Sequence, residues 1–137
     1  MAPKFTTIQP SLPVSSVPDA LEYYIGCLGF RLAGRDGDNH CWVQLVDDDS
    51  VARWDAAVNI YLRLRGFPDI ENDVQFGKVY IRIDGDDDEL EKLRDSFKEK
   101  KAKVIGDIQV KPWGVRDLTI EDPDGNVIIF NQRVLKV

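Results

Sequence analysis

Apolar and polar positions along this chain alternate with two different periods, and the switches between them lay out its elements. Phe5 to Val14 reads as a strand. Ser16 is then an N-cap candidate, with Pro18 in the first turn and Asp19 at the positive end of a helix. Ala20, Leu21, Tyr24 and Leu28 follow at helical spacing, and Gly26 and Gly29 mark where that helix frays and stops. A strand begins over Phe30 to Gly34, turns at Asp36-Gly37-Asp38-Asn39 and returns over Cys41 to Val46. Residues 47–55 form a polar loop that holds Trp54, and Ala56 to Arg65 is a long strand.

The same succession then recurs. After a loop from Gly66 to Gln75, Lys78 to Asp84 is a strand, and Asp86 to Asp88 offers caps for a helix with Leu90, Leu93 and Phe97 on one face. Lys98, Lys100 and Lys101 complement the negative end of that helix. Lys103 to Val110 supplies one or two short strands, and Val115 to Glu121 and Val127 to Asn131 close the fold. Tight turns at Pro112-Trp113-Gly114 and Asp122-Pro123-Asp124-Gly125-Asn126 punctuate these strands, with glycine supplying positive φ. The order is β-α-β-β-β twice, and laying Val14 on Ile83 also lays Gln9 on Lys78, which points to an internal duplication. The expectation is an α+β chain, 1–137 as a single domain, built from modules at 5–65 and 77–132.

Alternation also sorts side chains by face. Ile60, Leu62 and Leu64 oppose Asn59, Tyr61 and Arg63; Val79, Ile81 and Ile83 oppose Lys78, Tyr80 and Arg82; Leu118 and Ile120 oppose Asp117, Thr119 and Glu121. Each helix covers an apolar face, so the other face carries amides, rings and charges. Such a face is either plainly solvated or, if the sheet curls, the wall of a cavity for a polar aromatic ligand. Tyr61, Tyr80, Trp42 and Trp113 are the candidate stacking surfaces, although Trp42 alternates with Cys41, Val43 and Leu45 and reads equally as core. Lys78 is a rim cation, an anchor for a carboxylate, or an acid-base group beside Tyr80 and Arg82. Arg116 either fixes a turn or reaches an acidic group, and Glu121 either bonds backbone groups or joins Lys78 and Tyr80 as a catalytic candidate.

Composition narrows the picture only a little. Hydrophobic content of 43% supports a true core, and no apolar run is long enough to span a bilayer. The start, Met1-Ala2-Pro3-Lys4, lacks the apolar stretch of a signal peptide, so a cytoplasmic location is expected. A net charge of −6 argues against nucleic acid and suits a cationic ligand, whereas Arg63, Lys78 and Arg82 on the polar face suit an anionic or carbonyl-rich one. Direct contacts dominate in a desolvated pocket, so the local charge governs. Cys27 and Cys41 match no metal or redox spacing, and the lone His40 reads as structural or solvated.

Leu12-Pro13-Val14, Leu21-Glu22-Tyr23-Tyr24 and Leu28-Gly29-Phe30, followed by Pro112-Trp113-Gly114-Val115-Arg116, Asp122-Pro123-Asp124-Gly125-Asn126 and Phe130, resemble the vicinal oxygen chelate superfamily. That superfamily includes glyoxalase I, extradiol dioxygenases, fosfomycin-modifying enzymes and bleomycin resistance proteins. The likeness runs from about Phe5 to Gln132 and is strongest to the bleomycin-resistance-like branch. It implies paired βαβββ modules whose curved mixed sheet surrounds a cleft, helices outside, and a homodimer in which modules exchange between chains. Metal-dependent members place His or Gln, Glu, His and Glu on four strands. The matching positions here are Gln9, a residue near Asn59, Lys78 and Ile129, a set that cannot hold a divalent ion.

The resulting expectation is a small-molecule-binding protein with no metal or other cofactor, neither nucleic-acid nor membrane partners, and binding favoured over catalysis. The ligand residues expected are Gln9, Trp42, Asn59, Tyr61, Arg63, Lys78, Tyr80, Arg82, Trp113 and Arg116. The alternatives are a metal-free isomerase, lyase or cyclase using Lys78, Tyr80 or Glu121, and a metalloenzyme with a shifted ligand set that includes His40.

Overall fold

The computed structural model describes residues 3–46, 56–67 and 75–134. The chain divides into two compact units, Met1–Gln75 and Phe76–Val137. In the first unit Ser11–Val14 (β1) leads into a helix over Val17–Leu21 (α1), then Arg31–Asp36 (β2), His40–Leu45 (β3) and Val58–Leu64 (β4). In the second, Lys78–Arg82 (β5), Glu89–Glu99 (α2), Lys103–Lys111 (β6), Val115–Glu121 (β7) and Val127–Arg133 (β8) follow in the same order. The sheets have matching topologies, β1-β4-β3-β2 and β5-β8-β7-β6, each with one parallel pair at its edge. The β-α-β-β-β succession legible in the sequence is therefore the observed one.

Helix α1 begins as expected, Ser16 accepting from the Asp19 amide at 3.3 Å with proline in the first turn. From Glu22 to Cys27 it widens into π turns, and Leu28 donates to Tyr23 O five residues back. That extra residue per turn keeps Tyr24 and Leu28 buried, and Gly29 at φ +80° ends the helix. In α2, Leu90 and Phe97 are buried, Phe97 against Phe130, whereas Asp88 makes no side-chain cap bond. Strand β6 is one strand rather than two, with its register shifting between Ile105 and Gln109 where Gly106 takes φ +66°.

The first strand is shorter than the sequence suggests. Pairing to β4 starts at Ser11, opposite Tyr61, and Phe5 and Ile8 are exposed. Pro10 contributes only its carbonyl, to Tyr61 N at 2.9 Å, because proline has no N–H to continue the ladder. The expected loop at 47–55, with Trp54, and residues 68–74 of the loop expected over Gly66 to Gln75 lie outside the described residues.

The Asp122–Asn126 turn is a closed hydrogen-bonded knot. Asp122 Oδ1 accepts from the amides of Asp124 and Asn126 at 2.9 and 2.8 Å, and its Oδ2 accepts from Asn126 Nδ2 at 2.8 Å. Asn126 Oδ1 in turn accepts from Gly77 N at 2.7 Å, tying the start of β8 to the start of β5. Gly125 supplies the left-handed residue at φ +87°. The polar groups of this motif are thus engaged in holding the second sheet together.

Candidate functional site

The polar face of the first sheet is lined in rows set by the ladder. His40 pairs with Arg63, Trp42 with Tyr61, and Gln44 with Asn59. Alternation puts these six on one face, with Cys41, Val43, Ile60 and Leu62 buried on the other. Opposite Trp42 on β2 stands Gly34, where a Cβ would come within 3.2 Å of Trp42 Cε3; the missing side chain is what lets the indole lie across the strand.

These rows gather four rings. His40 lies 5.0 Å from Trp42, 5.2 Å from Tyr61 and 5.4 Å from Phe67 by ring centroids. Trp42 and Tyr61 are 5.3 Å apart and inclined at 67°, forming an angled corner. His40 Nδ1 and Tyr61 Oη share a hydrogen bond of 2.9 Å, and His40 Nε2 is 3.6 Å from Asp36 Oδ2. Burial pushes the Tyr61 phenol above its ordinary pKa, opposed by the Arg63 charge and reinforced by Asp36. Arg63 is held in place by Ser11 Oγ at 2.8 Å and by the Phe67 carbonyl. Deeper on the same face Gln44 and Asn59 are 2% and 4% exposed, and Asn59 Oδ1 has no hydrogen-bond partner among the described residues.

The second sheet presents a different face. Lys78 stands 5.5 Å over the Tyr80 ring, which is 58% exposed, and Arg82 Nε bonds Asn131 Oδ1 at 2.6 Å. Ile129 is buried between Tyr80 on β5 and Thr119 on β7. Glu121 faces Lys103 across the ladder at 3.4 Å. Trp113, 73% exposed, caps the β6–β7 hairpin beside Gly114 at φ +86°.

Among the sequence-predicted ligand residues, the structure brings together Trp42, Asn59, Tyr61 and Arg63 in the first unit, and Lys78, Tyr80 and Arg82 in the second. It does not bring in Arg116. That residue shares the parity of Leu118 and Ile120, so it sits on the helix-covered face, where Glu91 of α2 binds it bidentately at 2.6 and 2.9 Å. It also donates to Asp87 O and Gln132 Oε1. The two guanidinium bonds hold the Glu91 carboxyl below its usual range. Gln9 is likewise outside the group, exposed and ahead of β1. His40 and Phe67 are the residues sequence reasoning undervalued. The parity of His40 with Trp42 and Gln44 was the available signal; Phe67 gave none, because it follows the strand in a turn.

Matching the two sheets by their buried residues, Leu12 with Ile81, Ile60 with Ile128 and Leu62 with Phe130, puts Tyr61 in register with Ile129. Of the residues that the family resemblance sets against a metal, the one matching Ile129 in the first sheet is therefore Tyr61, two residues from Asn59 on the same strand. The set becomes Gln9, Tyr61, Lys78 and Ile129: an amide ahead of its strand, a neutral phenol bonded to His40, a cation and an alkyl group. These donors do not fit a divalent ion. The one cluster of potential carboxylate ligands among the described residues, Asp86, Asp88 and Glu89, lies at the start of α2.

Residues 6–130 match the family model described as the Glyoxalase/Bleomycin resistance protein/Dioxygenase superfamily. Among solved structures, a glyoxalase-related enzyme from Clostridium phytofermentans is similar at 20% identity and TM-score 0.72, covering 96% of this chain and 97% of that one. A glyoxalase/bleomycin resistance protein/dioxygenase from Nocardioides matches at 13% identity and TM-score 0.72, with coverages of 100% and 88%. The bleomycin-binding protein from bleomycin-producing Streptomyces verticillus, complexed with copper(II)-bleomycin, matches at 17% identity and TM-score 0.66, with coverages of 98% and 100%. At these identities the likeness is one of fold. No curated protein sequence matches the chain. No helix among the described residues is long and apolar enough to cross a membrane.

Proposed function

The chain belongs to the glyoxalase/bleomycin resistance protein/dioxygenase superfamily, and from that premise we propose that it is a metal-independent binding protein for a polar aromatic or carbonyl-rich small molecule. The observation that carries this reading is the ring cluster of His40, Trp42, Tyr61 and Phe67 on a polar sheet face, with the Arg63 guanidinium beside it. Two rings set at an angle offer a ligand ring one stacked and one edge contact, each worth about 0.5–1.5 kcal/mol beyond area burial. Copper(II)-bleomycin is the ligand of one protein with this fold; here Arg63, beside the rings, favours a ligand with negative or carbonyl oxygen over a cationic drug. The reading includes a cytoplasmic homodimer that binds neither nucleic acid nor membrane.

Native mass spectrometry of the protein taken directly from cells tests the reading. A co-purified organic molecule that dissociates from Tyr61→Ala but not from Trp113→Ala supports it. A stoichiometric divalent metal in protein purified without chelator overturns the metal-independent part, and a monomer in solution overturns the dimer. A second reading, a metal-free proton-transfer enzyme, draws support from one contact, the 2.9 Å hydrogen bond between Tyr61 Oη and His40 Nδ1. That pair meets the geometric requirement for acid-base work better than Glu121, which faces Lys103.

A further inference from the structure

Asn59 Oδ1 is a buried acceptor with no hydrogen-bond partner among the described residues, on a residue only 4% exposed. Leaving such a group unmatched costs stability, and a ligand that brings a donor to it removes that cost. Asn59 and Tyr61 are alternate residues of β4, so they share a face and stand roughly 7 Å apart along the strand. On β3 their partners Gln44 and Trp42 repeat the spacing. A flat ring seated in the Trp42–Tyr61 corner therefore reaches the Asn59 row with its edge, about one ring's breadth away.

We propose that the ligand is an aromatic molecule with an N–H or O–H donor on its ring edge, and that Asn59 Oδ1 receives that donor. The inference rests on the ring-stacking reading above and adds the ligand's polarity to it. Arg63, two residues beyond Tyr61 on the same face, lies in the opposite direction along the strand. The ligand is thus addressed from both sides: a donor toward Asn59 and an acceptor, carbonyl or anion, toward Arg63. Asn59 selects for the donor because a ligand lacking it leaves the acceptor as unmatched as in the free protein.

The test uses matched probes that differ by one methyl group, indole against 1-methylindole and phenol against anisole, titrated by calorimetry into the intact protein. The expected result is that the N–H and O–H members bind at least about 10-fold more tightly than their methylated partners. Asn59→Leu is expected to reduce that ratio below about 3-fold while the methylated probes bind as before, and to leave thermal stability equal or raised. Equal affinities within each pair on the unsubstituted protein overturn the donor assignment and leave the stacking reading standing. Failure of all four probes to bind overturns the stacking reading itself. Selectivity that survives in Asn59→Leu also overturns the assignment.

Discussion

Removing the Asn126 side chain should cost the second unit about 3 kcal/mol, although Asn126 belongs to a turn and not to either polar sheet face. The side chain is fully buried and serves two partners, Asp122 Oδ2 at 2.8 Å and Gly77 N at 2.7 Å. In Asn126→Ala the first loss is a hydrogen bond to a carboxylate oxygen, worth about 1.5–3 kcal/mol. The second leaves the Gly77 N–H at a half-buried position, adding about 1 kcal/mol because water reaches it in part. The backbone amides of Asp124 and Asn126 keep their bonds to Asp122 Oδ1, so the turn itself survives. With a urea slope of about 2 kcal/mol per M, the midpoint falls by roughly 1.5 M. Combining the change with Asp122→Ala should give less than the sum of the two, by about 1 kcal/mol or more, because the shared bond is lost only once. A midpoint shift under about 0.5 M, or strict additivity, refutes the account. The same variant, kept well below its midpoint, is expected to bind aromatic probes unchanged, since the motif that marks the superfamily is here a fastening.

Two further outcomes follow from shifted ionisations. Arg116 lowers the folded pKa of Glu91, so the pair's contribution is complete above the ordinary carboxylate range and is lost as pH falls through the lowered value. Because the Glu91 side chain is 38% exposed, the amount is below about 1 kcal/mol; Glu91→Gln should lower the urea midpoint slightly at pH 7, by an amount that shrinks as the pH is brought down through the acid range, and a difference that does not shrink contradicts the pairing. Burial pushes the Cys41 thiol up to about 11, with Arg35 opposing weakly. Iodoacetamide at pH 8 should therefore label the half-exposed Cys27 first and reach Cys41 only after denaturation, as read by peptide mass spectrometry; early labelling of Cys41 contradicts its burial.

What could be read from sequence, and what could not, divides along local and non-local physics. Period-two alternation, helical spacing and turn chemistry act within a few residues, and they sufficed for the β-α-β-β-β succession of the described residues and for the faces of β3, β4, β5 and β7. Parity alone already put His40, Trp42 and Gln44 together, and it put Arg116 with Leu118 and Ile120. Treating Arg116 as part of a turn motif hid that. Register between strands is different in kind. Nothing within β3 or β4 states that Trp42 meets Tyr61 rather than Arg63, because the connection between them sets that offset. The hydrogen bond between Tyr61 and His40 was therefore invisible. The lost stretch of β1 is likewise non-local: an edge strand exists only where its partner and its own N–H groups allow, and Pro10 withholds one.

Register also decides how the two copies of the topology have diverged. Once Tyr61 is aligned with Ile129, Trp42 aligns with Thr119, His40 with Asp117 and Arg63 with Asn131. One face has kept three rings and a cation on its central strands; the other, at the same places, has a short hydroxyl, a carboxylate, an amide and an aliphatic group. Stacking energy resides in rings and cannot be supplied by Thr119 or Ile129. The binding reading is therefore carried by the first sheet; the second presents Lys78 over Tyr80 and Arg82 bonded to Asn131.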